Sequence, residues 1–365
     1  MDAIKSLQDS LCKIPLVCRS WHFAGVRFLY ARPFVVTRTQ SFELLRTVKS
    51  NARLAGYVQC PTIMFAAQTV FKIAPPRKRH WWQRRKAIEI MQGFENFGQI
   101  IDNCVSLDAV AYFSRQRSIH YEFPVALSQP SRVPRLFTFA GCLQENVTFT
   151  SAEGLWNVKE LRISGCGMQD SLPMVPNLQV LRLALVELRD AVNVHGLFQK
   201  EHAPIGITTM ELCHTGESIA SLALDTILKQ KQLWSLTFVG PHESKLLSRL
   251  LVGLRQKRLI SQLTLSCGAF STLEFGEQLP DSLQTLIILR FAPVEVLDFV
   301  DLANCIEASR VPRLKEVNIL GVTMHGLTEE ADTIGLGRIG NWCADRNVQL
   351  TVQPYDGEYI SPAKH

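Results

Sequence analysis

One spacing recurs along the chain: an apolar residue, two others, an apolar residue, one other, an apolar residue. It is clearest as Val158, Leu161 and Ile163, and again as Leu178, Leu181 and Leu183. Further copies follow at Ile207/Met210/Leu212, Leu233/Leu236/Phe238, Ile260/Leu263/Leu265, Leu283/Leu286/Ile288 and Leu314/Val317/Ile319. Two looser copies precede them, Leu107/Val110/Tyr112 and Leu136/Phe139/Gly141, the second ending on glycine. Val348/Leu350/Val352 reads as a closing edge. Alternate residues of a strand share a face, so the last two apolar positions of each copy point to a core and the residue between them points away. Each copy therefore predicts a short strand with one buried and one polar side. Glu160, Arg162, Arg182, Glu211, Thr237, Thr264 and Asn318 fall on the polar side. A doubly wound parallel sheet, covered on both faces, would place apolar residues there instead.

Helical periodicity fills the gaps. Residues 243–257 carry Leu246, Leu247, Leu250, Leu251 and Leu254 at three- and four-residue spacing. Residues 296–309 repeat the pattern with Leu297, Val300, Leu302 and Ile306, and residues 219–229 with Leu222, Leu224, Ile227 and Leu228. The copies start at 107, 136, 158, 178, 207, 233, 260, 283 and 314, so successive starts lie 29, 22, 20, 29, 26, 27, 23 and 31 residues apart. Leucine-rich repeats run about 20–29 residues, a window that takes in all but the last interval. In the clearest copy Cys166 stands where such repeats place an Asn or Cys at the turn, and Met168 where they place another inward apolar side chain. One strand–helix unit cannot bury its apolar side alone, whereas stacked neighbours can. The expected fold class is therefore α/β: an irregular leucine-rich-repeat solenoid over residues 51–365, with a parallel β-sheet on the concave face and helices on the convex face.

Ahead of the array, Leu16-Val17-Cys18-Arg19-Ser20-Trp21, followed by Phe28-Leu29-Tyr30, resembles the second half of an F-box. The run over residues 32–46 is similar to the linker and helix that lead into the repeats of fungal F-box proteins with divergent leucine-rich repeats. This resemblance implies a short helical F-box-like remnant and linker over residues 1–50. It also implies that Leu16, Val17 and Trp21 contact the Skp-type adaptor of a cullin–RING ubiquitin ligase, while the repeats hold a protein target whose identity stays open. Such a chain recognises substrates and supplies no chemistry. Family members open with a Leu-Pro and an amphipathic helix, whereas MDAIKSLQDS stands before this core, so the expected F-box is partial. The alternative is a free-standing repeat scaffold uncoupled from the ligase. Read from the residues alone, Leu16, Val17 and Trp21 at helical spacing serve equally well as a cap on the first edge of the array. Residues 43–52 read as a helix and residues 57–66 as an apolar strand that could open the array.

Composition narrows the function classes. Of 365 residues 47% are hydrophobic and 20% charged, which excludes a disordered chain. No run approaches the roughly 20 apolar residues of a membrane span, and Lys5, Asp9 and Lys13 interrupt the place where a signal peptide has its apolar core. The expected location is cytoplasmic, nuclear or both. The 10 cysteines are scattered without a CxxC pair, so neither a metal nor another cofactor is expected. The net charge of +6 is modest for this length. Its densest basic run, residues 77–86 with Trp81 and Trp82, has three readings: a solvated insertion loop, a nuclear-import signal or a nucleic-acid contact. The loop demands least, so nucleic acid is not an expected partner. No phosphate-cradling Gly-Lys-Ser/Thr loop and no Gly-x-Ser-x-Gly elbow occurs, and Gly335-Leu-Gly-Arg-Ile-Gly340 sits in a predicted helix without a preceding strand. No enzyme activity is expected.

The target-binding candidates are the outward residues Arg162, Arg182, Glu211, Thr237 and Thr264. Arg162 and Arg182 hold the same place in successive copies and are expected one strand apart, about 4.8 Å. From their own strands only Glu160 is placed to relieve their repulsion. Such a pair would suit an acidic or phosphorylated target through bidentate hydrogen bonds. The alternative is two well-solvated arginines.

Overall fold

The recurring apolar spacing builds parallel strands. A computed structural model of the chain describes residues 19–65, 96, 98–114, 135–140, 146–147, 158–168, 171–172, 175–188, 195–196, 204–240, 244–257, 259–266, 277–289, 299–321 and 330–353. The architecture is α/β, and the described strands pair in parallel. The chain divides into two compact units, one of residues 1–178 with 185–204 and the other of residues 179–184 with 205–365.

The first unit opens with helix α1 (Arg19–Ala31), strand β1 (Phe34–Val35), and helices α2 (Arg38–Ser50) and α3 (Ala52–Ala55). Helix α2 starts earlier than the expected residue 43 because Thr37 and Gln40 form a capping box. The Thr37 hydroxyl accepts from the Gln40 amide at 3.2 Å, and the Gln40 side chain accepts from the Thr37 amide at 3.1 Å. Asn51 ends α2, and its side chain then caps α3 by accepting from the amides of Arg53 and Leu54, each at 3.1 Å.

Strands β2 (Thr62–Phe65), β3 (Ala109–Ser114), β4 (Leu136–Ala140) and β6 (Glu160–Met168) continue from β1 in that order, with β5 (Asn146–Val147) beside β6. The pairing of β1 with β2 begins the strand array inside residues 1–50, the segment expected to be helix and linker. Val110, Phe137 and Leu161 form one buried row across β3, β4 and β6, and Phe139 pairs with Ile163 in the next. The core pair of β4 is therefore Phe137/Phe139, two residues before the expected Phe139/Gly141. This register removes the anomaly of a glycine at a core position. It also exposes a copy that the apolar pattern hides, Val58-x-x-Pro61-x-Ile63, in which proline stands at an apolar place and Val58 and Ile63 are buried. Short strands β7 (Ser171–Leu172) and β9 (His195–Gly196) pair with each other. Between them in sequence, β8 (Val180–Leu188) leaves the second unit at Leu185, whose φ is 53°.

In the second unit the expected register holds throughout. The first part of β8, then β10 (Thr209–Cys213), β11 (Ser235–Val239), β12 (Gln262–Ser266), β13 (Thr285–Leu289), β14 (Glu316–Leu320) and β15 (Gln349–Gln353) pair in sequence order. Leu181, Met210, Leu236, Leu263, Leu286 and Val317 occupy one row and are fully buried, as are five members of the row two residues on, Leu183, Leu212, Leu265, Ile288 and Ile319. Each such side chain removed from water contributes about 1.5–3 kcal/mol. Helix α4 (Glu217–Lys229) returns the chain from β10 to β11, and α5 (Ser244–Lys257) from β11 to β12. Helices α6 (Phe299–Ala308) and α7 (Glu330–Asp345) do the same before β14 and β15.

The glycines of α7 have a packing role. A Cβ on Gly335 would collide with the backbone of Phe299 and Val300, so only glycine lets α7 approach the start of α6 this closely, whereas Gly337 and Gly340 face open space. Among the described residues no helix is long and apolar enough to cross a membrane.

Candidate binding face

The strand residues that alternate with the core rows form an open face in each unit. In the first unit Glu160 and Arg162 stand two apart on β6 and so share a face. The Arg162 guanidinium donates to one Glu160 oxygen from two nitrogens, at 2.6 and 2.7 Å. In the second unit Arg182 of β8 lies opposite Glu211 of β10 in the register, and their charged groups approach to 3.3 Å. Each arginine therefore has an acidic neighbour of its own. Glu160 is the acid from the arginines' own strands, as expected; the acid that answers Arg182 comes from the adjacent strand, which the strand's own sequence does not show.

Further along, the Thr285 hydroxyl donates to Glu316 at 3.3 Å across β13 and β14. Thr237 and Asn318 are half-buried and hold the middle positions of their strands. Thr264 occupies the same row but is only 5% exposed, so it belongs to the packed part of the face and offers little to a partner. At the strands' C-terminal ends Val239 and Leu320 are buried as well, and the buried Ser266 hydroxyl donates to the Gly240 carbonyl at 3.4 Å. The sequence carries a signal for this change: the last outward position of these strands reads Ala184, Cys213, Val239, Ser266, Leu289 and Leu320, mostly apolar. The polar part of the face is therefore its N-terminal and middle rows.

Leu16 and Val17 lie outside the described residues; Trp21 lies in α1, but its side chain is outside them too. The basic segment 77–86 likewise falls outside them. Burial pushes the Cys213 thiol up to about 12, with Glu211 adding to the shift and Arg182 opposing it. Burial also pushes Cys104 up to about 12. Both thiols are protonated near neutral pH, and the thiolate is the nucleophilic form. Among the described residues no group of three or more His, Cys, Asp and Glu is placed to hold a metal ion. The arrangement offers hydrogen-bonding side chains on a rigid sheet, which suits recognition. No family model matches the chain, and no curated protein matches it.

Proposed function

We propose that the chain is a non-catalytic recognition protein of the leucine-rich-repeat type, similar to the substrate receptors of cullin–RING ubiquitin ligases. In this reading the open strand face holds a protein target while other subunits transfer ubiquitin. The observation that carries it is the regular alternation in the second unit, where buried Leu181, Leu236 and Leu263 alternate with polar Arg182, Thr237 and Gln262 on strands in one register. A sheet with one packed and one polar side presents side chains to a partner without disturbing its core. The F-box-like residues Leu16, Val17 and Trp21 would supply the adaptor contact, and the chain would work in the cytoplasm, the nucleus or both.

Co-purification with a Skp-type adaptor tests the coupling. The expected result is a complex with the adaptor that is lost on Trp21→Ala. A chain that never captures the adaptor is instead a free-standing interaction scaffold.

A further inference from the structure

In the second unit all strands run parallel, so their N-terminal ends form one rim, reached by the turns that leave the helices. Backbone hydrogen bonds stitch this rim together. The Trp234 amide donates to the Thr208 carbonyl at 3.0 Å, Ser261 to Trp234 at 2.9 Å, Gln284 to Ser261 at 2.8 Å, and Lys315 to Gln284 at 2.8 Å. These turns and the helix ends that lead into them carry Lys229, Lys231, Arg255, Arg310, Arg313 and Lys315, all exposed, with Arg255 donating to the Glu277 carbonyl at 2.6 Å. The acids of the same described segments are fewer: Glu277, Asp281, Asp345 at the end of α7, and Glu307 near the end of α6, which is held by Arg338 of α7 at 2.5 Å. Cations in the last turn of a helix answer its dipole, and that accounts for Lys229 at the end of α4. It does not account for Lys231, Arg310, Arg313 and Lys315, which lie beyond the helix ends.

The same rim exposes large apolar side chains. Ile205 is 74% exposed, Trp234 48% and Leu259 43%. Trp234 sits on the stitched row between Thr208 and Ser261, while Ile205 and Leu259 lead into those two residues. Over β10–β12 the cations Lys229, Lys231 and Arg255 alternate with an exposed tryptophan and two aliphatic side chains, and Arg310, Arg313 and Lys315 extend the positive charge to β14, which together call for a partner that is both anionic and apolar. A nucleic acid could stack on Trp234 but would set phosphates against Ile205 and Leu259. A peptide that alternates carboxylates with apolar side chains satisfies both sets, and Trp and Arg are the residues that most often anchor such contacts.

We propose that the N-terminal rim of strands β10–β15 is a docking surface for an extended acidic protein segment with apolar side chains between its carboxylates. Five strand steps of about 4.8 Å give a rim of about 24 Å, which matches roughly seven extended residues at about 3.3 Å each. The rim is separate from the open strand face, so its test stands whether or not the adaptor and target reading holds.

The test is fluorescence anisotropy on the full chain with a short labelled peptide alternating Glu and Leu. An all-Glu peptide, a single-stranded RNA and phosphatidylserine vesicles serve as competing probes. The Glu-Leu peptide is expected to bind most tightly, and more weakly as salt rises. Trp234→Ala should weaken it about tenfold or more. Arg313→Glu combined with Lys315→Glu should weaken it by a similar factor and flatten the salt dependence. All three are exposed side chains, so melting temperatures should stay at the wild-type value. If Trp234→Ala lowers the melting temperature, Ile205→Ser and Leu259→Ser read the apolar contribution instead. Absence of peptide binding overturns the proposal, as does binding untouched by the charge reversals. Tighter capture of the RNA or the vesicles overturns it too and reassigns the rim to that partner.

Discussion

On the open face of the second unit Arg182 approaches Glu211 to 3.3 Å, whereas on the rim of the same strands Lys231, Arg310, Arg313 and Lys315 project beyond the helix ends. The two regions share a backbone and differ in how that backbone spaces their side chains. Neighbouring strands lie about 4.8 Å apart, so residues in register on one face are close enough for opposite charges to pair. Turn residues diverge into solvent, and their charges stay available to a partner. Net charge alone, +6 for the chain, says nothing about which of its arginines and lysines are already answered. The described face sets one cation, Arg182, against two acids, Glu211 and Glu316, among hydroxyl and amide groups; the rim is cationic with apolar anchors. They suit partners of different chemistry.

The most disruptive change strikes the core row that carries both regions. Leu263 is fully buried between Leu236 and Leu286, and Leu263→Ala should cost about 2–5 kcal/mol through the cavity it leaves. Urea unfolding at the wild-type midpoint would break the register on which both the face and the rim depend.

A smaller effect separates the rim from the face. Gln230, 1% exposed, accepts from the Ile207 amide at 3.0 Å and donates to the Thr226 carbonyl at 3.1 Å. It ties the end of α4 to the turn that enters β10. Gln230→Ala strands a buried amide and should cost about 1–3 kcal/mol. Hydrogen exchange should quicken at Ile207 while the Arg182–Glu211 pair is left in place. Equal loss of protection along β10 and β11 would show that rim and face loosen as one.

The least effect is expected on the face itself. Arg182 and Glu211 are each about a third exposed, so a double-mutant cycle with alanine should give a coupling of at most about 1 kcal/mol that shrinks with added salt. A coupling several times larger and indifferent to salt would mean that the pair is effectively buried, and the contrast between face and rim would narrow.

Much of this was legible in one dimension. The 2.0-residue alternation of a strand and the 3.6-residue period of a helix are local consequences of backbone geometry, and area-driven burial follows them. Leu181, Leu236, Leu263 and Leu286 are therefore readable as core, and residues 219–229 and 243–257 as helices, close to the observed Glu217–Lys229 and Ser244–Lys257. Where the apolar signal is ambiguous the reading slips. Leu136, Phe137 and Phe139 offer two registers, and only pairing with Leu161 and Ile163 selects Phe137 and Phe139. The proline in Val58-x-x-Pro61-x-Ile63 disguised another copy in the same way.

The kind and order of the elements, and the face each strand buries, thus follow from residues a few positions apart along the chain. Tertiary structure decided which segments became neighbours, and with them the pairing of Arg182 with Glu211, the bridge made by Gln230 and the close approach of Gly335 to Phe299. Each of these joins residues more than twenty positions apart. Their contact depends on strand register and helix spacing across the whole packed unit, and no local period encodes it.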